Sequence, residues 1–210
     1  MTALPPDNHV DVVIEAGHEK RKRCDWVELA FATRPCALGT EVFFTGEAVA
    51  EVDWNIRVAD SAADYLSARG YRVLRIPADH NQRIDARFGV FIHADGHPVA
   101  CASGPSVGYP PEQGPDLGER WKAFYKDNVP DVRDFRFIKD NVTNSLRDYY
   151  NYKFINAPHL LVIEIAEMTC PQQFFALNPR LVQVGQTVGA FIDETLGSAT
   201  VSSRWRWGWN

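Results

Sequence analysis

No stretch of the sequence approaches the roughly 20 consecutive apolar residues that a bilayer-spanning helix requires, which excludes a helical membrane protein. An excess of positive charge is also missing, with 22 Lys and Arg against 27 Asp and Glu. The formal net charge is −5 at pH 7 over 210 residues, so the balance favours neither nucleic acid nor an acidic lipid surface as partner. Residues 1–8 are polar and proline-bearing, and lack the basic start and apolar core of a secretory signal. Cysteine is sparse. Cys24, Cys36, Cys101 and Cys170 show no CxxC spacing, so a structural zinc knuckle is not expected. A Cys24–Cys36 bridge can close one loop in an oxidising compartment, but without an export signal free thiols are the expectation.

What remains is the composition of an ordinary globular protein, 45% hydrophobic and 23% charged. The length fits one domain over residues 1–210, large enough to bury a core. There is no internal repeat, low-complexity segment or interdomain linker.

The chain alternates strand-like and helix-like segments. Val12-Val13-Ile14-Glu15-Ala16-Gly17-His18 is a short apolar run closed by Gly-His, the pattern of a buried strand that delivers His18 to the rim of a sheet. Residues 19–50 form a long irregular connection with Pro35, Gly39 and Gly46, and 40–45 can add a strand or hairpin arm within it. Residues 51–69 read as a helix with Trp54, Val58, Ala59, Ala62, Tyr65 and Leu66 on one face and Gly70 as the stop. Strands follow at 71–76 and at Val90-Phe91-Ile92-His93, and the order strand, helix, strand predicts a right-handed parallel crossover.

The prolines and glycines of 102–115 predict an irregular loop. Asp116-Leu117-Gly118-Glu119 reads as a capping box opening a helix with Leu117, Trp121, Phe124 and Tyr125 inward. Residues 131–157 read as loop or short elements. Residues 160–166 form an apolar strand interrupted by Glu164, and a last helix follows Pro179 to about residue 196 with Leu181, Val184, Val188, Phe191 and Ile192 inside. The aromatic tail (198–210) alternates from Arg204 to Trp209, which would set Trp205, Trp207 and Trp209 on one face of a final strand. Such a row of indoles can also serve as a sugar-stacking or membrane-contacting patch. The fold class predicted is α/β, a mixed, mostly parallel twisted sheet with helices on both faces.

Candidate chemistry gathers at strand ends. His18 and His93 close two strands, Glu51 opens the helix between them, and Glu164 sits among Val162, Ile163, Ile165 and Ala166. A lone strand-end histidine is ordinarily a hydrogen-bonded structural residue. Two of them with a carboxylate match the donor set of a hydrolytic zinc site, which keeps a further position for water. A carboxylate in apolar surroundings has its pKa raised and suits proton transfer to and from that water. Pairing with an arginine such as Arg87 or Arg147 is the structural alternative for Glu164.

These pieces resemble, in order, the zinc-dependent N-acetylmuramoyl-L-alanine amidases of the Amidase_3 type, found among bacterial cell-wall enzymes and phage endolysins. Val13-Ile14-Glu15-Ala16-Gly17-His18 is similar to the family's opening strand and Gly-His. Glu51-Val52-Asp53-Trp54-Asn55 is similar to its glutamate with an asparagine four residues on. Phe91-Ile92-His93-Ala94-Asp95 resembles its strand-end histidine, and Ala157-Pro158-His159-Leu160-Leu161-Val162-Ile163-Glu164 its Pro-x-x-Leu-x-Glu strand.

The resemblance implies that His18, Glu51 and His93 bind one zinc ion and that Glu164 is the catalytic carboxylate. It also implies cleavage of the amide between the lactyl group of N-acetylmuramic acid and L-alanine in peptidoglycan. Asn55, Asp95, His97 and Gly104 are the substrate-contacting candidates around the same rim. Glu47 rivals Glu51, and Glu167 can substitute for Glu164, because Ile165-Ala166-Glu167 replaces the family's usual Gly-Phe. A basic, cysteine-bearing insertion over 19–38 replaces the usual glycines after the first histidine.

A different metal-dependent peptidase or amidase, or a non-catalytic wall-binding module using the tail and the 102–115 loop, are the other readings. The missing signal fits a phage lysin, an injected effector or a chain whose export signal has been removed.

Overall fold

β1 (His9–Ala16) runs between two other strands and is covered on both faces, which its apolar residues Val10, Val12, Val13, Ile14 and Ala16 supply. The computed structural model describes residues 9–20, 39–138 and 152–204, with 198–204 described by backbone only. The Cys24–Cys36 pair, most of the basic insertion and the three tail indoles lie outside the described residues.

After β1 come β2 (Glu41–Val42), β3 (Val49–Ala50), α1 (Glu51–Ser67), β4 (Val73–Pro77), β5 (Ile84–Asp95) and β6 (Ser106–Gly108). Then follow α2 (Asp116–Asn128), β7 (Ile155–Asn156), β8 (His159–Glu167), α3 (Pro171–Leu177) and α4 (Leu181–Arg204). The main sheet has the order β4-β1-β5-β8-β6, with β7 on β5. All of its pairings are parallel except β6 on β8. β2 and β3 form a separate antiparallel hairpin. A mixed, mostly parallel sheet with helices around it is therefore what the sequence builds. None of the described helices is long and apolar enough to cross a membrane.

The helices use the faces their periodicity assigns. Trp54, Val58, Ala59, Ala62 and Leu66 of α1 pack with Leu181, Val184, Val188, Phe191, Ile192 and Leu196 of α4 over Val12, Ile14, Val90 and Ile92 of the sheet. On the other face, Val10, Val13, Leu74, Ile76, Phe91 and Val162 form a second core, with Tyr152 against it.

One irregularity sets up the site. His93 pairs with Glu164, but Asp95 pairs with Glu167, so β8 carries one residue more than β5 between those pairs. This bulge shifts the alternation: Ile165 and Ala166 both join the helix-facing core, and Glu164 and Glu167 project from the same opposite face. The fully buried Tyr125 donates its hydroxyl to the Ile165 carbonyl at 3.1 Å, supplying the partner for the bulged peptide. Tyr125→Phe would leave that carbonyl without its donor. It is expected to lower unfolding free energy by about 1–3 kcal/mol in a denaturant titration.

Several sequence expectations are corrected here. β1 stops at Ala16, and His18 lies beyond it in a turn at φ 64°. Ser106–Gly108, expected in an irregular loop, adds to the sheet because β8 supplies the hydrogen-bonding edge that local composition cannot reveal. No capping box opens α2: Pro115 is the N-cap and Asp116 is already helical, so Glu119 pairs with Lys122 at 2.8 Å instead. α3 was unanticipated, and α4 runs to Arg204, so the start of the tail is helix rather than strand. Cys101 and Cys170 are not free thiols. They form a disulfide across 69 residues of sequence, made by tertiary proximity that spacing cannot show.

Candidate metal centre

Three chain segments deliver one ligand type each to the carboxyl end of the parallel strands, where α/β sheets bind ligands. The turn after β1 presents His18, the first residue of α1 is Glu51, and β5 carries His93 near its end. One donor atom from each lies within 4.8 Å of the others. Glu51 Oε1 is 3.3 Å from His18 Nε2 and 3.1 Å from His93 Nδ1, and the imidazoles meet edge to face at 5.2 Å between centroids. His18 pays for its place with backbone strain. A left-handed residue with a Cβ costs about 1–2 kcal/mol, which here aims its ring at Glu51 rather than along the strand.

Burial by itself would raise the Glu51 pKa. Hydrogen bonds and charge from His18 and His93 outweigh it and hold the carboxyl well below the usual carboxylate range. The backbone strengthens that preference: Oε1 also accepts from Ala94 N and Asn55 Nδ2, each at 3.2 Å, and Oε2 accepts from Thr40 N at 3.1 Å. Asn55 makes a second bond, from Nδ2 to the Gly17 carbonyl at 3.1 Å, tying the His18 turn to the helix start.

Two glycines make room for the cluster. A Cβ on Gly17 would sit 2.3 Å from His93 Cε1, and a Cβ on Gly39, whose φ is 73°, would sit 2.3 Å from Glu51 Oε2. Gly17→Ala must therefore displace the His93 ring. It is expected to weaken divalent-metal affinity about 10–100-fold, measured by competition with a chromophoric chelator.

Two imidazoles and one carboxylate, with Glu51 and His93 buried, His18 half-buried and Glu51 oriented by backbone donors, fit a divalent ion of the zinc type.

Glu164 lies beside this cluster. It is 8% exposed and in register with His93 on the adjacent strand. Glu167, the alternative carboxylate, is fully buried and committed elsewhere. Its oxygens accept from Cys101 N at 2.7 Å, Thr169 Oγ1 at 2.7 Å and Ser103 N at 2.6 Å. Glu47 is exposed in the β2–β3 turn, outside the cluster.

The rim candidates divide. Asn55 is part of the centre. Asp95 accepts from Gly96 N at 2.8 Å and from the Ser103 hydroxyl, and burial raises its pKa. His97 is an exposed loop residue whose backbone N–H donates to Thr169 Oγ1 at 3.0 Å. Gly104 is buried against the Arg136 carbonyl. His159 lies at the opposite end of β8, against Phe88, with its pKa lowered by burial and by Arg120 and Arg87. Sequence reasoning missed Gly39 and Thr40, which cradle Glu51. The only local signal was a glycine in an irregular connection.

No protein-family model matches the chain, and no curated protein sequence does. Solved structures match well, and they define the fold as that of N-acetylmuramoyl-L-alanine amidase structures. The N-acetylmuramoyl-L-alanine amidase from Clostridium difficile 630 superposes with a TM-score of 0.62 at 18% identity, covering 91% of this chain and 98% of that one. AmiC2 of Nostoc punctiforme gives 0.57 at 18%, over 90% and 97%. The catalytic domain of the CD27L endolysin targeting Clostridia difficile gives 0.51 at 11%, over 88% and 97%.

Proposed function

We propose that the chain is a zinc-dependent N-acetylmuramoyl-L-alanine amidase, hydrolysing the amide between the lactyl group of N-acetylmuramic acid and L-alanine in peptidoglycan. The observation that carries this reading is the convergence of His18, Glu51 and His93 within 4.8 Å, with Glu164 in register beside His93. The shared fold of the amidase structures supports it.

His18, Glu51 and His93 would hold the zinc. The ion supplies Lewis acidity, lowering the pKa of water towards neutrality and polarising an amide carbonyl. Glu164 takes the proton from the attacking water and returns it to the departing nitrogen of L-alanine. Asn55, Thr40 and the Ala94 amide keep Glu51 ionised and fixed while this occurs.

The test is mass spectrometry of purified sacculi treated with the zinc-loaded protein. Free lactyl carboxyl groups on the glycan and stem peptides beginning at L-alanine are the expected products. Cleavage within the stem would identify a peptidase, and sedimentation with sacculi without products would identify a wall-binding module. Either outcome overturns the proposal.

A further inference from the structure

Glu167 is a buried carboxylate that the proposed hydrolysis does not use, and the bulge in β8 turns it onto the same face as Glu164. Its two oxygens collect the backbone N–H groups of Cys101 and Ser103 and the hydroxyl of Thr169. Gln173 closes the arrangement, accepting from Glu167 N at 2.9 Å and donating to the Ser103 carbonyl at 3.3 Å. The Cys101–Cys170 bond fastens the same segment to the same β8–α3 junction.

The fastened segment is short and bounded by the site on both sides. It starts after Asp95, two positions beyond His93. It ends in β6, where Ser106 pairs with Glu164. Its outer turn touches the Glu51 cradle as well, since a Cβ on Gly96 would lie 2.1 Å from Thr40 Oγ1. Residues 96–106 thus connect the metal-ligand strand to the strand alongside Glu164, and Glu167 and the Cys101–Cys170 bond tie them down together with the weaker Gln173–Ser103 and His97–Thr169 hydrogen bonds.

We propose that Glu167 is a positioning residue for the hydrolysis. Its carboxylate holds residues 96–106 as a wall beside the metal cluster where substrate would enter, and the Cys101–Cys170 disulfide is a second, weaker tether on that wall. The role rests on the amidase reading and adds a residue to it. A dithiol can remove the second tether: its thiolate attacks the Cys101–Cys170 bond, both cysteines end as thiols, and the reductant is oxidised to its own disulfide.

Glu167→Gln tests the role, because an amide offers one accepting oxygen and one donating nitrogen to three donors. With a soluble muropeptide, the variant is expected to raise KM about tenfold or more, since ångström-scale misplacement carries that scale of penalty. The expected change in kcat is less than threefold, with zinc content equal to wild type. A purely structural lesion would instead reduce the active fraction, lowering apparent kcat at constant KM.

Dithiothreitol is expected to raise KM only slightly in wild type and further in Glu167→Gln, because the wall then loses both tethers. Amide exchange at Cys101 and Ser103 should quicken in step with KM. An unchanged KM in Glu167→Gln, with and without dithiothreitol, overturns the proposal. Should Glu167→Gln not fold, the double variant Cys101→Ser/Cys170→Ser takes its place with Ser103→Pro, which deletes one of the N–H groups Glu167 holds. No effect of Ser103→Pro on KM in that background overturns the proposal equally. A wild type that releases no lactyl carboxyl ends brings down the amidase reading and this role together, whereas a cleaving wild type with an insensitive Glu167→Gln brings down this role alone.

Discussion

Glu164→Gln is expected to reduce release of lactyl carboxyl groups by at least about 10³-fold while metal content stays near one ion per chain. The amide keeps the size and most of the polarity of the carboxyl group, so the fold and the neighbouring His93 strand are left in place. What it cannot do is accept a proton from water and hand it on. Inductively coupled plasma mass spectrometry of the variant, beside product analysis on sacculi, separates loss of proton transfer from loss of metal. Turnover within tenfold of wild type would assign the proton transfer to some other group. Glu167 is not a ready substitute, because three protein donors already occupy its oxygens.

His93→Ala is expected to abolish both activity and metal binding, dropping bound zinc from about one per chain to near none at micromolar free metal. Unlike Glu164→Gln, it takes away a donor and leaves the buried Glu51 carboxylate without one of its two imidazole partners. Stability then carries a pH signature. Glu51 has a pKa depressed below its ordinary 4.5, so in the metal-free protein its contribution is present above pH 4.5 and is lost as pH falls below that value. Removing His93 removes part of what depresses it, so the metal-free variant should show a shallower loss of stability between neutral and strongly acid pH than metal-free wild type. Thermal unfolding across that range in the presence of a chelator measures the difference. A His93→Ala protein that retains stoichiometric zinc would refute the assignment of His93 as a ligand.

The elements most visible beforehand were those whose periodicity matched their burial. α1 is one such element: its inner residues Trp54, Val58, Ala59, Ala62 and Leu66 are all fully buried, and the helix occupies nearly the expected span. The central strands were visible because strands covered on both faces are apolar at nearly every position. Where partners are supplied from afar, the sequence misleads. Gly104 and Pro105 announce a loop, yet Val107 is buried in a strand because the edge of β8 was open to it. The pairing of Cys101 with Cys170 has no local signature either.

By itself, then, the sequence determined a mixed, mostly parallel α/β sheet and the residue types able to form a metal centre, because strand and helix patterns are local and a histidine or carboxylate at a strand end keeps its chemistry wherever it lands. Only the tertiary structure decided which carboxylates do which job. Glu51, Glu47, Glu164 and Glu167 are alike as letters, and what separates them is environment: two imidazoles around Glu51, solvent around Glu47, His93 and Ser106 in register beside Glu164, and a loop's backbone donors around Glu167. That sorting turns on a one-residue bulge in β8 and a strained turn at His18, geometry that exists only once the strands have paired.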